Sequence, residues 1–451
     1  MGRWTRRDFL RTTCCAGAAT MATASLSRFG MMNAMAQSAQ DYKALVCVFL
    51  FGGNDSNNLV VPNSTAGYAA YKKARAGLAL AQSQLLPINP PSAGAAFGFH
   101  PRFTGIQSLF NQKQAAVLAN VGTLVQPTTR DQFRNGQAKL PMNLFSHADQ
   151  QTQMQTASLD KLSETGWAGR VADKVQAIYG GNFPAIISLA GSNIFCEALA
   201  VRSIQASGNP TRLLSGFGNS ENSSNRMSAL QNLLTFDTGL SLIQAASTET
   251  SNALSDSKTL AAALAAGPTL ATAFPNSGLA NQLKQVAQII SVRGALGLQR
   301  QIFFVSQDGY DTHSDQLAQQ DGLYNGLSQA LTAFYQATAE LGVASSVTAF
   351  TLSDFGRTLQ PDSTAGTDHA WGSHHLVVGG AVKGGDFYGT FPTLALAGPD
   401  DASDEGRWVP TTSLDQYAAT MASWFGVAPA DLPSIFPNLA NFSSPTVGIF
   451  G

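Results

Sequence analysis

Short apolar runs alternate with longer amphipathic stretches along most of the chain. The run at 44–51 contains no polar residue, which is typical of a strand that is covered on both faces. Further strand-like runs occupy 115–121, 184–190, 302–306, 346–352 and 376–382. Helical periodicity occurs at 166–177, 227–251, 279–292, 314–341 and 413–425. This alternation predicts an α/β protein with a mainly parallel central sheet and helices on both faces.

The segment at 203–277 interrupts this rhythm. It is rich in Ser, Asn, Ala and Thr, carries few charges and has a mostly helical pattern. We therefore interpret it as a helical insertion or cap on a single α/β domain that spans 37–451. With 44% hydrophobic and only 12% charged residues, a chain of this length can bury a large core.

The N-terminal segment has the features of a targeting signal. Arg6 and Arg7 lie in a charged stretch, a weakly apolar stretch follows at 12–26, and Ala34-Met35-Ala36 supplies small residues for cleavage. The apolar part is shorter than the roughly 20 residues that span a membrane. We expect 1–36 to be a twin-arginine signal peptide, which engages the twin-arginine translocation machinery and delivers a periplasmic or secreted protein that begins near Gln37. We expect no stable membrane span elsewhere.

Charge and cysteine content narrow the possible partners. The formal net charge is −1, whereas a nucleic-acid-binding protein needs a basic patch, so we expect no nucleic-acid partner. Two cysteines, Cys47 and Cys196, remain after removal of the signal. Cys47 lies in an apolar run, which favours a buried thiol, although a Cys47–Cys196 disulfide stays open in an oxidising compartment.

Polar clusters follow the apolar runs at 52–58, 307–315, 353–358 and 367–375. In open parallel sheets, ligands bind beyond the carboxyl ends of the strands. The sequence therefore predicts a functional site that these four clusters build together.

Histidine is concentrated in this region. Four of the six histidines lie between His313 and His375. The accompanying carboxylates are Asp308, Asp311, Asp315, Asp354 and Asp368. Imidazole and carboxylate ligands suit a divalent metal such as zinc, manganese or iron, and we expect one or two ions. Single residues also have local alternatives, because Ser314 and Asp315 can cap the following helix and Asp55 can serve a turn.

Several short motifs together resemble the bacterial family known as domain of unknown function 1501. They run in order from about residue 41 to about 425, in addition to the arginine pair. The motifs are Phe51-Gly52-Gly53-Asn54-Asp55-Ser56-Asn57-Asn58, Ser146-His147, Gly166-Trp167-Ala168-Gly169-Arg170, Asp311-Thr312-His313, Asp354-Phe355-Gly356-Arg357-Thr358, Asp368-His369 and Val382-Lys383-Gly384-Gly385. The resemblance implies a fold similar to the alkaline phosphatase and sulfatase superfamily, with no assigned substrate.

The same resemblance implies a site. The metal ligands that it implies are Asp55, Asp311, His313, Asp354, His369 and His375, with His374 as an alternative to the last. The catalytic residues that it implies are Ser146 as nucleophile, with Ser56 as a competitor, and His147 or Arg357 to neutralise charge. Arg357 has an alternative interpretation as the partner of a local carboxylate.

The resemblance leads to the expectation of an exported metal-dependent hydrolase of phosphate or sulfate esters, with a small anionic ester or saccharide as substrate. Phe355 stands where the superfamily has a histidine next to its aspartate, so either His369 replaces that ligand or one metal is lost. With one metal, a non-catalytic periplasmic binding protein on a hydrolase-like fold becomes the alternative. The sequence contains no Gly-x-Ser-x-Gly motif, which excludes a lipase-type nucleophile elbow.

Overall fold

The computed structural model describes residues 42–181, 183–205, 220–236 and 239–451. The predicted signal peptide at 1–36 lies outside these residues. The segment Lys43–Gly451 forms one unit. None of the helices within the described ranges is both long and apolar enough to cross a membrane.

The strands form one large mixed sheet and one small antiparallel sheet. The described strands are β1 (Lys43–Leu50), β2 (Val60–Pro62), β3 (Leu86–Ile88), β4 (Phe97–Phe99), β5 (Ala115–Gly122), β6 (Ile186–Ser188), β7 (Ser203–Gln205), β8 (Arg300–Gln307), β9 (Val347–Ser353), β10 (Ser373–Gly379), β11 (Phe387–Tyr388) and β12 (Thr412–Ser413). The large sheet has the order β11-β5-β10-β9-β1-β8-β6-β7, and β12 also pairs with β5. Strands β2, β4 and β3 form the small sheet.

Helices cover the large sheet. The described helices are α1 (Thr65–Arg75), α2 (Thr104–Asn111), α3 (Arg130–Arg134), α4 (His147–Thr156), α5 (Trp167–Tyr179), α6 (Glu221–Leu234), α7 (Ser241–Ala266), α8 (Gly278–Ser291), α9 (Gln316–Glu340), α10 (Leu414–Phe425) and α11 (Leu432–Ile435). The core on one face joins alternate residues of β1 to α5 and α10. Helices α8 and α9 pack against each other and contact strands of the sheet. The mainly parallel sheet with helices on both faces confirms the predicted fold class.

Strand β1 lies at the centre because its side chains are apolar on both faces. Leu45, Cys47 and Phe49 belong to the core that contains Trp167 and Met421. The remaining residues of β1 between 44 and 50 are buried as well. The strand pairs in parallel with β8 and β9. The polar residues that follow these three neighbouring strands therefore meet at one edge of the sheet.

Strand β10 runs antiparallel to its neighbours, whereas the sequence predicted a mainly parallel sheet. It is antiparallel to both β5 and β9, whereas the other recorded pairings in the large sheet are parallel. It spans Ser373–Gly379 rather than 376–382. Because it is reversed, its first residues lie at the edge where its parallel neighbours end, and Ser373 Oγ donates to the carbonyl of Asn54 at 3.3 Å.

Four local expectations need correction or completion. The stretch predicted as one helix at 227–251 contains parts of α6 and α7, and Ser203–Gln205 at the start of the predicted insertion is a strand that pairs with β6. Asp315 occupies the N-cap position of α9 but makes no side-chain capping bond. Cys47 and Cys196 are both free and buried, and burial raises the pKa of each thiol.

Candidate functional site

Two glycines bring the end of β1 against its neighbours. Gly52 and Gly53 have φ values of 113° and 83°, in the region that favours glycine. A Cβ atom on Gly52 would overlap the backbone nitrogen of Asp311, and one on Gly53 would overlap the ring of Phe355. The turn after β1 therefore packs directly on the loops that follow β8 and β9.

Three imidazole rings converge at this edge. His147 is the first residue of α4, His313 follows β8, and His369 precedes β10. His369 Nε2 lies 3.0 Å from His147 Nε2 and 3.1 Å from His313 Nε2. The three side chains come from distant parts of the sequence and direct the same ring atom to one place.

Asp311 completes this cluster. Its Oδ1 lies 2.9 Å from His313 Nε2 and 3.4 Å from His369 Nε2, and its Oδ2 lies 3.4 Å from His147 Nε2. Ligands at about 2.0–2.1 Å from a tetrahedral zinc ion are about 3.3 Å apart. One ligand atom each of His147, Asp311 and His369 lies within 4.8 Å of the others, as binding to one cation requires, and His313 contacts both His369 and Asp311. We define His147, His313, His369 and Asp311 as the four-residue centre.

Arg357 holds Asp311 in place. Arg357 Nη1 donates to Asp311 Oδ1 and to the carbonyl of Gly52, both at 3.0 Å, and Nε donates to Thr367 Oγ1 at 2.9 Å. Partial burial acts to raise the pKa of Asp311, but the hydrogen bond and charge of Arg357 and the nearby histidines bring it below its usual value. Asp311 is therefore an anion in the native site, and the bond shows Arg357 as the partner of a local carboxylate.

The outer nitrogens of two histidines are fixed by acceptors. His147 Nδ1 lies 2.7 Å from Asp354 Oδ2, and His369 Nδ1 lies 2.9 Å from the carbonyl oxygen of Phe145. Asp354 is completely buried. Burial raises the pKa of Asp354, although hydrogen bonds from His147 and Gln151 oppose this change. Burial also lowers the pKa of His369, which favours the neutral ring that binds metals.

The structure places Asp55 apart from this centre. Its Oδ2 accepts hydrogen bonds from Arg75 and Gln316, and its Oδ1 accepts from the backbone N–H of Asn57 at 3.1 Å. Arg75 is completely buried, and burial lowers its pKa to about 9. A guanidinium thus neutralises the carboxylate that the family resemblance had implied as a metal ligand.

His374 and His375 also lie away from the four-residue centre. His374 stacks on Phe391, and its Nδ1 accepts from the backbone N–H of Asn120 at 3.0 Å. His375 stacks on Tyr417. Burial lowers the pKa of both histidines to about 3. Each is therefore a neutral residue of the core rather than a residue of the open edge.

The two candidate serines differ in accessibility. Ser146 is half-buried at the N-cap of α4, and its Oγ donates to Asp149 Oδ2 at 2.6 Å. Ser56 is buried, and its Oγ accepts from the backbone N–H of His374 at 2.8 Å. Ser146 is thus the more accessible of the two, and it lies between Phe145 and His147, which both take part in the site.

Sequence reasoning did not find several supporting contacts. Gln151, the Phe145 carbonyl and Arg75 received no role, and His147 was assigned to charge neutralisation rather than to the group that converges on Asp311. One signal was present, because Gln151 follows His147 by four residues and such pairs share a helix face. A second group of possible ligands, His313, Asp362 and Asp368, lies on the more exposed side.

Comparison with known proteins identifies the family. The chain matches the family described as Protein of unknown function (DUF1501) over residues 42–404. It belongs to that family. A search of curated proteins found no significant match.

Solved structures with similar folds share very little sequence with the chain. One is the lipoteichoic acid synthase LtaP from Listeria monocytogenes, with 7% identity, a TM-score of 0.36, and coverage of 86% of this chain and 73% of that chain. Another is the C-terminal periplasmic domain of EcEptC from Escherichia coli in complex with Zn, with 10% identity, a TM-score of 0.32, and coverage of 86% and 83%. A third is BT1596, a 2-O GAG sulfatase, with 9% identity, a TM-score of 0.32, and coverage of 88% and 74%. Similarity at this level does not assign a chemistry, so the function has to be argued from the site itself.

Proposed function

We propose that the protein is a metal-dependent hydrolase of phosphate or sulfate esters. The observation that carries the proposal is a cluster in which His147, Asp311 and His369 place ligand atoms within 4.8 Å of one another. His313 Nε2 adjoins this cluster, 3.1 Å from His369 Nε2 and 2.9 Å from Asp311 Oδ1. Neutral imidazoles and an anionic carboxylate are the donor set that divalent zinc, manganese and iron accept. The ester class is the one that the family resemblance implies.

We assign the metal ligands to His147, His313, His369 and Asp311. A divalent cation at this position would act as a Lewis acid that polarises an oxygen of the ester. Arg357 keeps Asp311 ionised and oriented. Asp55 and His375 are left out of this set because each already has other partners in the core.

We assign the nucleophile to Ser146. Its hydroxyl donates to Asp149, whose pKa is lowered by the hydrogen bonds from Ser146 and Asn143. A carboxylate that stays ionised can orient the hydroxyl of a serine nucleophile. Ser56 is a poorer candidate because its Oγ is buried and already accepts a backbone hydrogen bond.

The first experiment measures metal content and turnover together. Elemental mass spectrometry on protein purified without added metal or chelator should find about one equivalent of zinc, manganese or iron per chain. Phosphate and sulfate ester substrates should then be hydrolysed by the wild type. The Ser146→Ala variant should keep the metal and lose turnover. Absence of metal even after reconstitution would refute the hydrolase proposal. If Ser56→Ala lost turnover and Ser146→Ala did not, the nucleophile would be Ser56 instead.

We also propose that the protein is exported by the twin-arginine pathway and acts in the periplasm or outside the cell. The proposal rests on Arg6, Arg7 and the cleavage triplet at 34–36. Replacement of both arginines by lysine should retain the precursor in the cytoplasm, whereas the wild type should yield a product whose intact mass begins near Gln37. Unchanged export of the double variant would exclude this route.

One observation favours a second function, a periplasmic binding protein on a hydrolase-like fold. Arg75 neutralises Asp55, and Phe355 stands where the resemblance expects a histidine, so a second metal has lost two of its expected ligands. A binding protein would hold the metal and a small anionic ester or saccharide without turnover. Calorimetric binding of such a compound together with no detectable product would decide for this alternative.

A further inference from the structure

Asp354 is buried directly after β9, and it contacts the nitrogen of His147 that does not belong to the cluster of histidine Nε2 atoms. Its Oδ1 accepts from the backbone N–H of Gly52 at 3.2 Å. Its Oδ2 accepts from Gln151 Nε2 at 2.7 Å and lies 2.7 Å from His147 Nδ1. A buried carboxylate requires such donors. Both oxygens of Asp354 are thus engaged by donors, and its link to the centre passes through the outer nitrogen of His147.

This contact fixes the proton on His147. Because the oxygens of Asp354 accept from the Gly52 N–H and from Gln151 Nε2, we infer that the carboxylate is also the acceptor in its contact with His147. Nδ1 of His147 then carries the proton and Nε2 carries a lone pair. The same argument applies to His369, because the carbonyl of Phe145 can only accept. The two lone pairs then face each other across 3.0 Å. Two acceptors at this distance repel each other unless a cation or a proton lies between them.

The backbone conformation of Phe145 supports a functional role for the contact between its carbonyl and His369. Phe145 has a φ of 74°, in the left-handed region that non-glycine residues rarely adopt. Such conformations persist where the surroundings require them and are common at functional sites. Here the carbonyl of this residue is the acceptor that fixes the ring of His369.

We propose that Asp354 is a positioning residue that makes His147 a metal ligand through Nε2, and that it is not a ligand itself. The inference rests on the proposed metal-dependent function and deepens it, since it reassigns a carboxylate that the sequence had suggested as a ligand. Carboxylates that accept from the second nitrogen of a ligating histidine orient the ring and raise its basicity. The Phe145 carbonyl has the same role toward His369.

The test compares Asp354→Asn with Asp308→Asn. Asp308 is an exposed carboxylate in the loop after β8, so its substitution controls for the loss of one negative charge near the site. Zinc affinity is measured by competition with a chromophoric chelator, and the coordination sphere is monitored by the visible absorption of the Co²⁺-substituted protein. We expect Asp354→Asn to weaken zinc binding by about 10- to 100-fold, with one equivalent still bound at saturation and an unchanged Co²⁺ spectrum. Asp308→Asn should match the wild type.

Two results would overturn the inference. An unchanged affinity in Asp354→Asn would show that the residue only packs, and a changed Co²⁺ spectrum or lost stoichiometry would show that it ligates. A wild type that binds neither zinc nor cobalt would instead refute the proposed function.

A measurement on the wild type avoids dependence on the folding of any variant. Long-range ¹H–¹⁵N spectra of protein labelled at histidine should show the Nδ1-protonated tautomer for His147 and His369. The Nε2-protonated tautomer at His147 would contradict the assignment.

Discussion

At the scale of single residues, Asp311 connects the fold to the chemistry. Asp311 and His313 are the two half-exposed members of the four-residue centre, and Asp311 is bound to the buried Arg357. Its charge is therefore stabilised from the protein side while its oxygens face the histidines. A carboxylate held in this way remains ionised in the pH range in which imidazoles lose their protons.

Replacement of Asp311 by alanine tests its role as a ligand. We expect Asp311→Ala to weaken metal binding by more than about 10-fold, since even changes outside the ligand shell have effects of this size. The fold should persist because Arg357 keeps its bonds to Thr367 and to the carbonyl of Gly52. Metal content by elemental mass spectrometry and the circular dichroism spectrum give the two measurements, with Asp308→Ala as the control. Unchanged metal content would remove Asp311 from the ligand set.

At the scale of secondary-structure elements, a glycine allows helix α5 to approach the backbone of Glu197 closely. A Cβ atom on Gly169 would overlap the carbonyl group of Glu197. Both groups belong to the backbone, so neither can rotate away. Gly322 in α9 provides a comparison, because a Cβ atom there would meet no atom within 4 Å.

The two glycines predict opposite effects of the same substitution. Gly169→Ala should lower the free energy of unfolding by about 1–3 kcal/mol or more, as expected for overpacking. Gly322→Ala should raise it by up to about 1 kcal/mol, since alanine has the higher helix propensity. Urea unfolding followed by circular dichroism measures both values. Equal effects in the two variants would show that the close approach at Gly169 is not a constraint.

The elements also show what sequence patterns can and cannot predict. Strands β1, β5, β8 and β9 were predicted because their apolar runs are long and buried on both faces. Helix α4 was not predicted, because its sequence from His147 to Thr156 is polar and lacks an apolar period. The reversal of β10 could not be predicted either, since an apolar run does not reveal the direction of its neighbours.

The candidate site, like the fold, was predicted only in part. The loops that contain Asp311, His313 and His369 were identified from their positions after apolar runs. Asp55 follows the same rule, but its partner Arg75 comes from α1, and no pattern indicated that this side chain would be buried there. Contacts between distant segments decided which carboxylates remained available.

At the scale of the whole molecule, one buried carboxyl group couples stability to pH. Asp415 lies in the first turn of α10 and is completely buried. Burial raises its pKa to about 7, although hydrogen bonds from Asn438 oppose this. The native state therefore binds its proton more tightly than the unfolded chain, in which the pKa is about 4. Stability contributed by this proton is complete below pH 4 and is lost as the pH rises from 4 to 7.

The Asp415→Asn variant should remove this dependence. Between pH 5 and pH 8 the wild type should lose on the order of 1–3 kcal/mol of unfolding free energy from this group. The variant should show a smaller decrease over the same interval, because asparagine does not titrate. Urea unfolding at both pH values measures the difference, and parallel curves for the two proteins would contradict the assignment.

The pairing of Arg75 with Asp55 has a consequence for how the protein matures. Because a guanidinium supplies the positive charge beside the first strand, that part of the molecule is assembled from the chain alone. The proposed ion at the neighbouring histidines would then be an addition to a finished scaffold. Folding and metal binding would be separate events, and a chelator would remove the ion without unfolding the protein.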